Sequence, residues 1–308
     1  LGGWTESQKA VAALRHYDLI PLEKAMQLSF TAPTSLEYFA SLVQSDKHFP
    51  LLEAAVSLAQ DEYPDLDVQQ VLGDIDQLLV HLKRRLVTDS PPLQRLHTLN
   101  QFFYRDCDFG GNINDYYDPD NSCFNRVLRT RRGIPISLAV IWLELAQGLG
   151  LNACGVAFPG HFMLKVNLPR GQVILDPLTG RSLSREELSE RLEPYKRQSG
   201  LVDDFDAPIG LYLQAAPPRD IIARMLGNLK EIHRTQEDWA RLILVQDRLI
   251  TLLPEAWGEY RDRGLALAEQ GQTGQAIADL EFYLIHVEEG QDIDAIADRV
   301  VELRQAKS

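Results

Sequence analysis

The stretch Gly133-Ile-Pro-Ile-Ser-Leu-Ala-Val-Ile-Trp-Leu-Glu-Leu-Ala-Gln-Gly-Leu-Gly150 decides how the chain is read. Its apolar residues fall on nearly every side of a helical turn, which predicts a helix buried all round rather than one with a wet face. Gly133 and Pro135 punctuate its start, and Gly148 and Gly150 its end. Ser137 then falls in the first turn. There, free backbone N–H groups and the positive end of the helix dipole favour an anion, or a developing oxyanion, beside a hydroxyl.

Downstream, Gly155-Val-Ala-Phe-Pro-Gly-His-Phe-Met-Leu-Lys-Val-Asn-Leu-Pro-Arg-Gly-Gln-Val-Ile-Leu-Asp-Pro177 reads as two short strands around a Pro169-Arg170-Gly171 turn. His161 opens the first strand and Asp176 ends the second. A hydroxyl at a helix start, then a strand histidine, then a strand aspartate is the order of a nucleophile, a base and an orienting group. Each has a plainer reading: Ser137 as a helix-start serine, His161 as a strand-end histidine satisfied by backbone, Asp176 as a turn residue.

The order resembles the transglutaminase-like branch of the papain-type fold. The likeness extends to Asn121 through Leu128, to the Arg-Arg-Gly-Ile-Pro-Ile-Ser-Leu run from Arg131 to Leu138, to Phe158-Pro-Gly-His161 and to Leu175-Asp-Pro177. Together these resemble the bacterial Sir B type family, and the match covers most of the chain. The resemblance implies a transglutaminase-like core joined to a tetratricopeptide-type tail. With a helical first hundred residues and a linker at Ala215-Ala-Pro-Pro218, an α+β protein is expected with an N-terminal helical region (1–104), a transglutaminase-like core with antiparallel strands (105–216) and a tetratricopeptide-like helical tail (217–308). It also implies a catalytic set of Ser137, His161 and Asp176 in degenerate form. Active relatives place a cysteine at the start of the central helix, and none stands between Gly133 and Ala139. Ser137 is the nucleophile available there, while counting fifteen residues back from Gly150, as in many active relatives, reaches Pro135. A serine hydroxyl needs concerted proton removal and a formed oxyanion hole where a thiolate does not, so the same scaffold with serine should be much slower.

Hairpin geometry sets a second condition. If Arg170-Gly171 is a simple two-residue loop, Asp176 lies opposite Lys165, and a cross-strand Lys165–Asp176 pair results. His161 is then four residues away along the strand, about 13 Å. Bringing it to Asp176 requires a bulge, a strong twist or a displaced strand, which the family resemblance implies.

The remaining sequence bounds the function. Hydrophobic residues make up 45% and charged residues 24%, ordinary for a globular protein. Lys and Arg number 31 against 44 Asp and Glu, a net charge of −13, which disfavours nucleic-acid binding. No apolar run reaches the roughly 18 residues of a spanning helix, and Leu1-Gly-Gly-Trp-Thr-Glu lacks both parts of a signal peptide, so no membrane partner and a cytoplasmic location are expected. Cys107, Cys123 and Cys154 are odd in number and irregularly spaced; free thiols are expected, with no structural metal and no cofactor. Asp118, Asp120 and Ser122 alternate as in a calcium loop, but Pro119 interrupts them and the glycine and bidentate glutamate are missing. Asn121 or Ser122 is expected instead to cap a helix from Cys123 to Thr130. Its arginines, Arg126, Arg129, Arg131 and Arg132, are either solvated charge at a helix end or a binding cluster for an acidic group beside Ser137.

The first hundred residues read as helices broken at Pro21, Ala32-Pro33, Pro50, Pro64 and Ser90-Pro91-Pro92. Val68, Val71, Leu72, Ile75, Leu78, Leu79 and Leu82 form one apolar stripe, and Leu93, Leu96, Leu99 and Phe103 the next. After Pro177, Ser184-Arg-Glu-Glu187 has capping-box spacing and starts a helix expected to stop at Pro194. Residues 201–214 read as loop with at most one strand, and Ala215-Ala-Pro-Pro218 as a linker. In the tail, Ala240 to Leu244 matches Ala276 to Leu280, an offset of about 36 residues against roughly 34 for a standard tetratricopeptide repeat. Two units are too few to stand alone, so the tail should pack on the core or on a partner. The function expected is that of a degenerate, non-catalytic protein that binds a protein or peptide, in a role that suits regulation. The rivals are a serine-dependent hydrolase or acyltransferase using Ser137, His161 and Asp176, and a cysteine enzyme using Cys123 or Cys154.

Overall fold

The fold was taken from a computed structural model that describes residues 33–198, 208–288, 290 and 292–306, with the chain from Ser35 onward forming one compact unit. The expected breaks at Pro21 and Ala32, and the Asp203-Asp-Phe-Asp206 run, lie outside the described residues. Four helices come first. They are α1 (Ser35–Leu42), α2 (Leu51–Ser57) directly after Pro50, α3 (Val68–Lys83) and α4 (Pro92–Asn100), the last running on into a π-helical turn over Gln101–Asp106. Asp67 caps α3 by accepting from Gln70 N at 3.2 Å, and Pro92 opens α4, where its missing N–H costs nothing. Val68, Val71, Ile75 and Leu82 are buried, with Leu72, Leu78 and Leu79 packed beside them. Leu93 departs from the expected stripe: it sits in the first turn of α4 and is 64% exposed, so the stripe runs through Leu96, Leu99 and Phe103.

The two-residue strand β1 (Gly110–Gly111) pairs in parallel with β2 (Arg132–Gly133), and α5 (Phe124–Thr130) lies between them in sequence. The cap of α5 corrects the sequence reading. Cys123 occupies the cap position, and Asn121 and Ser122 belong to a 3-10 turn over Pro119–Ser122 whose own cap is Asp118. Asn121 is diverted because its amide donates to the carbonyls of Asp115 (2.7 Å) and Tyr116 (3.2 Å) and accepts from Asn112. The calcium-like carboxylates have other partners. Asp118 accepts from Asp120 N at 2.9 Å, and Asp120 binds Arg126 at 2.6 Å and the Tyr63 hydroxyl. Of the arginine cluster, Arg126 is thus paired, Arg132 pairs with Asp108 at 2.8 Å, and Arg131 lies over the Phe109 ring.

The central helix α6 (Pro135–Gly148) is buried from Pro135 to Leu143 and again at Leu145 and Ala146, as expected of a helix apolar all round. Glu144 reaches a half-buried edge, where burial and the nearby Asp76 raise its carboxyl above the usual range. Three antiparallel strands follow, β3 (Asn152–Phe158), β4 (His161–Leu168) and β5 (Gly171–Leu175), with β4 in the middle, and α6 packs on β3 and β4. The β4–β5 loop is Pro169-Arg170 rather than Arg170-Gly171, since Leu168 faces Gly171 and Leu164 faces Leu175. This moves β5 by two residues from the expected register. Lys165 stands opposite Ile174 and donates to Leu213 O at 2.6 Å, so the Lys165–Asp176 pair does not form.

In α7 (Arg185–Gln198) the capping box forms in both directions, Glu187 N to Ser184 Oγ at 3.2 Å and Ser184 N to Glu187 Oε2 at 2.8 Å. The helix runs through Pro194 instead of stopping there. The carbonyl that the proline leaves without its helical donor belongs to Glu190, an exposed residue on the wet side of the helix. The tail consists of α8 (Pro218–Thr235), α9 (Trp239–Leu252), α10 (Trp257–Glu269), α11 (Thr273–His286) and α12 (Ile293–Ala306). Its first two helices share the apolar core of α6 through Ile221, Ile222, Met225, Leu226, Leu229, Val245, Leu249 and Leu252. The rest close a smaller cluster around Leu267, Leu280, Tyr283, Ile296 and Leu303. Among the described residues no helix is long and apolar enough to cross a membrane.

Where the tail meets the core, buried charge is paired. Arg248, 1% exposed, binds both oxygens of Asp61 (2.6 and 2.7 Å), and Arg241 binds Glu62 at 2.8 Å. His233 Nε2 lies 3.5 Å from Glu62. Burial lowers the His233 imidazole below its ordinary value, helped by Arg241 and opposed by Asp238 and Asp61. Below about pH 6.5 the unfolded chain therefore binds a proton that the folded chain refuses, so stability is full above that pH and falls as pH drops through it. Glu62, raised by burial, acts in the opposite sense nearer its ordinary value of 4.5. Urea midpoints should fall from about pH 7 to about pH 5.5, and less steeply in the His233→Gln chain. Equal slopes would count against a buried neutral histidine.

Candidate functional site

Asp176 follows the last residue of β5 and is held by its own turn. Its carboxylate accepts from Leu178 N at 2.9 Å, its carbonyl accepts from Gly180 N at 2.8 Å, and its N–H donates to Arg181 O at 2.9 Å. Gly180 has φ +68°, and a Cβ there would come within 2.3 Å of the Tyr104 ring, so only glycine fits without displacing that ring. Tyr104 donates to Pro177 O at 3.0 Å. A further chain of bonds ties this turn to the central helix: Trp142 Nε1 donates to Asn100 Oδ1 at 3.0 Å, and Asn100 Nδ2 donates to Gly180 O at 3.3 Å.

His161 follows the Pro159-Gly160 turn, in which Phe158 faces His161 across β3 and β4. Carried on by one pair, the observed β4–β5 register sets Asp176 opposite Met163, two residues from His161 on the same face of the sheet. Such diagonal neighbours are within side-chain reach. His161 Nε2 meets Asp176 Oδ1 at 3.3 Å, with side chains 20% and 12% exposed. The two-residue shift of β5 does what a bulge or displaced strand was expected to do. Burial would raise the Asp176 carboxyl, but the His161 and Leu178 hydrogen bonds and the Arg191 charge, 3.7 Å away, outweigh it and hold the carboxyl below the usual range. Asp176 is therefore ionised where it meets the imidazole.

Ser137 is not joined to this pair. It is fully buried, its hydroxyl donates to Asn121 O at 2.7 Å and also lies 3.1 Å from Ile134 O, and it accepts from Ile134 N at 3.1 Å. No hydrogen bond links it to His161 or Asp176 among the described residues. The three cysteines are unbridged, and burial raises each thiol above its ordinary value, which disfavours the thiolate. The residues that position Asp176, namely Asn100, Tyr104, Trp142, Gly180 and Arg191, were not singled out from sequence. Apart from the glycine in its turn, they carry no local signal for the role.

A histidine at the start of β4 meeting an aspartate just after β5, in a sheet packed on a buried central helix, fits a transglutaminase-like core. The transglutaminase-like superfamily model matches residues 69–227, and a tetratricopeptide repeat model matches residues 229–300. The UPF0162 protein of Xylella fastidiosa is 35% identical over 259 residues, 84% of this chain and 91% of that protein. The UPF0162 protein of Vibrio cholerae is 28% identical, covering 77% of this chain and 86% of its own, and UPF0162 protein YchA of Escherichia coli is 26% identical, covering 76% and 86%. The chain belongs to the transglutaminase-like superfamily, together with these UPF0162 proteins. No solved structure matches it.

Proposed function

We propose that this chain is a degenerate, non-catalytic transglutaminase-like protein of the Sir B type, which binds a protein or peptide through the face around His161 and through its helical tail. The observation that carries the reading is the state of the Ser137 hydroxyl: fully buried and engaged by Asn121 and Ile134, it has no base and no path to an acyl group. Pro135, fifteen residues before Gly150, offers no nucleophile either. The tetratricopeptide match supports protein binding by the tail.

The second reading, a serine-dependent hydrolase or acyltransferase using Ser137, His161 and Asp176, rests on the intact contact between His161 and Asp176. One experiment decides between them. An activated ester or acyl-thioester probe, followed by mass spectrometry of the intact chain and its peptides, is expected to leave Ser137 unlabelled. Stoichiometric labelling of Ser137 that disappears in the His161→Ala chain would establish the hydrolase and sink the binding-only reading.

A further inference from the structure

Eight of the nine arginines on the five tail helices have a carboxylate partner. Arg219 pairs with Asp46, Arg234 with Glu231, Arg241 with Glu62, Arg248 with Asp61, Arg261 with Asp292, Arg263 with Asp279, Arg299 with Glu302 and Arg304 with Glu281. Arg224 on α8 has none among the described residues. It is half-buried all the same, and burial disfavours its charged form. Leaving a guanidinium in that position without a counter-charge is costly unless a ligand supplies one.

Its surroundings fix where that ligand sits. Arg224 Nη1 donates to Phe158 O at 3.1 Å, and its Cζ lies 5.8 Å from the centre of the Phe162 ring. Phe158 and Phe162 flank the turn that presents His161. The titratable groups acting on Arg224 are two phenols, Tyr116 from the loop before α5 and Tyr195 from α7. Tyr195 packs on the same turn, since a Cβ on Gly160, which has φ +69°, would collide with its hydroxyl. Tyr116 and Tyr195 are 51% and 39% exposed. A cation seated on the His161 turn thus has two partly exposed tyrosines acting on it.

We propose that Arg224, with Tyr116, binds a side-chain carboxylate of an acidic, aromatic-containing peptide segment across the His161 turn. The proposal rests on the peptide-binding reading given above. One guanidinium with a donor already given to Phe158 O matches a single carboxylate, whereas phosphate groups are held by clusters of arginines. The Tyr116 phenol adds a hydroxyl donor, and the exposed tyrosine rings suit the apolar residues between the acidic ones.

The full chain is titrated with three labelled probes: an acetylated, amidated peptide alternating Glu and Phe, its Gln and Phe counterpart, and the Glu peptide in the presence of acetate or inorganic phosphate. The Glu peptide should bind, the Gln peptide at least roughly tenfold more weakly, and Arg224→Gln should weaken the Glu peptide by a similar factor. Tyr116→Phe, a mild change at an exposed ring, should weaken it to a smaller extent, which keeps the test informative should the Arg224→Gln chain misfold. Equal affinity of the native and Arg224→Gln chains for the Glu peptide would overturn the carboxylate site while leaving peptide binding standing. Binding of neither peptide by the full chain would remove both readings for this face. Competition by phosphate stronger than by acetate would overturn the choice of carboxylate.

Discussion

A chain ending at Pro217 is expected to lose cooperative folding, although the cut falls in the Ala215-Ala-Pro-Pro218 segment that reads as a linker. Five side chains of α8, Ile221, Ile222, Met225, Leu226 and Leu229, lie in the same apolar core as the central helix. Fully burying a side chain of this kind contributes about 1.5–3 kcal/mol, so together they represent roughly 7–15 kcal/mol as an upper bound. That is comparable with the whole stability of a typical domain, about 5–15 kcal/mol. The cut also removes Arg219, which donates to Val43 O at 2.6 Å, and strands Asp61 without Arg248. A chain ending at Pro254 keeps α8 and α9 and loses only helices that pack in the smaller cluster. Urea unfolding followed by far-ultraviolet circular dichroism should therefore show a cooperative transition for the longer chain and a broad or absent one for the shorter. A sharp transition with an unchanged midpoint in the chain ending at Pro217 would mean that α8 is an appendage.

The parts of this architecture that were legible in the sequence are those that repeat. A long run apolar on nearly every side reads as a buried helix, and Ser184-Arg-Glu-Glu187 has the spacing of a capping box. The matched stretches at Ala240 and Ala276 fall on α9 and α11, the corresponding helices of successive pairs. The register of β5 was not legible, because Pro169-Arg170 and Arg170-Gly171 are both acceptable two-residue loops and the choice moves every partner by two. That choice decides whether Asp176 meets His161 or Lys165. Nor was the isolation of Ser137 legible: Asn121, sixteen residues earlier, closes on its hydroxyl through a backbone carbonyl, which no side-chain pattern reports. Nothing in the sequence marks Arg224 either: what sets it apart is that no carboxylate lies beside it among the described residues, which only the packing of α8 on the His161 turn reveals.

Trp142→Ala is expected to be the most destabilising single change at the site. Trp142 is the largest fully buried side chain among the described residues, and truncating a buried tryptophan to alanine costs about 3–5 kcal/mol in transfer and cavity terms. The change also leaves Asn100 Oδ1 without its donor, a further cost on the order of 1–3 kcal/mol when the group stays dry. Trp142→Phe separates the two effects, since it keeps most of the ring volume and removes the indole N–H. If Trp142 acts through Asn100 on Gly180, the phenylalanine chain should unfold at a lower urea concentration and should also exchange the Leu178 and Gly180 amides faster, because these are the donors that the Asp176 turn holds. A packing role alone predicts lower stability with the pattern of exchange around Asp176 unchanged. Hydrogen exchange read residue by residue in the native and Trp142→Phe chains distinguishes these outcomes: unaltered relative protection at Leu178 and Gly180 would leave the central helix as a wall behind the His161–Asp176 pair, with no part in orienting it.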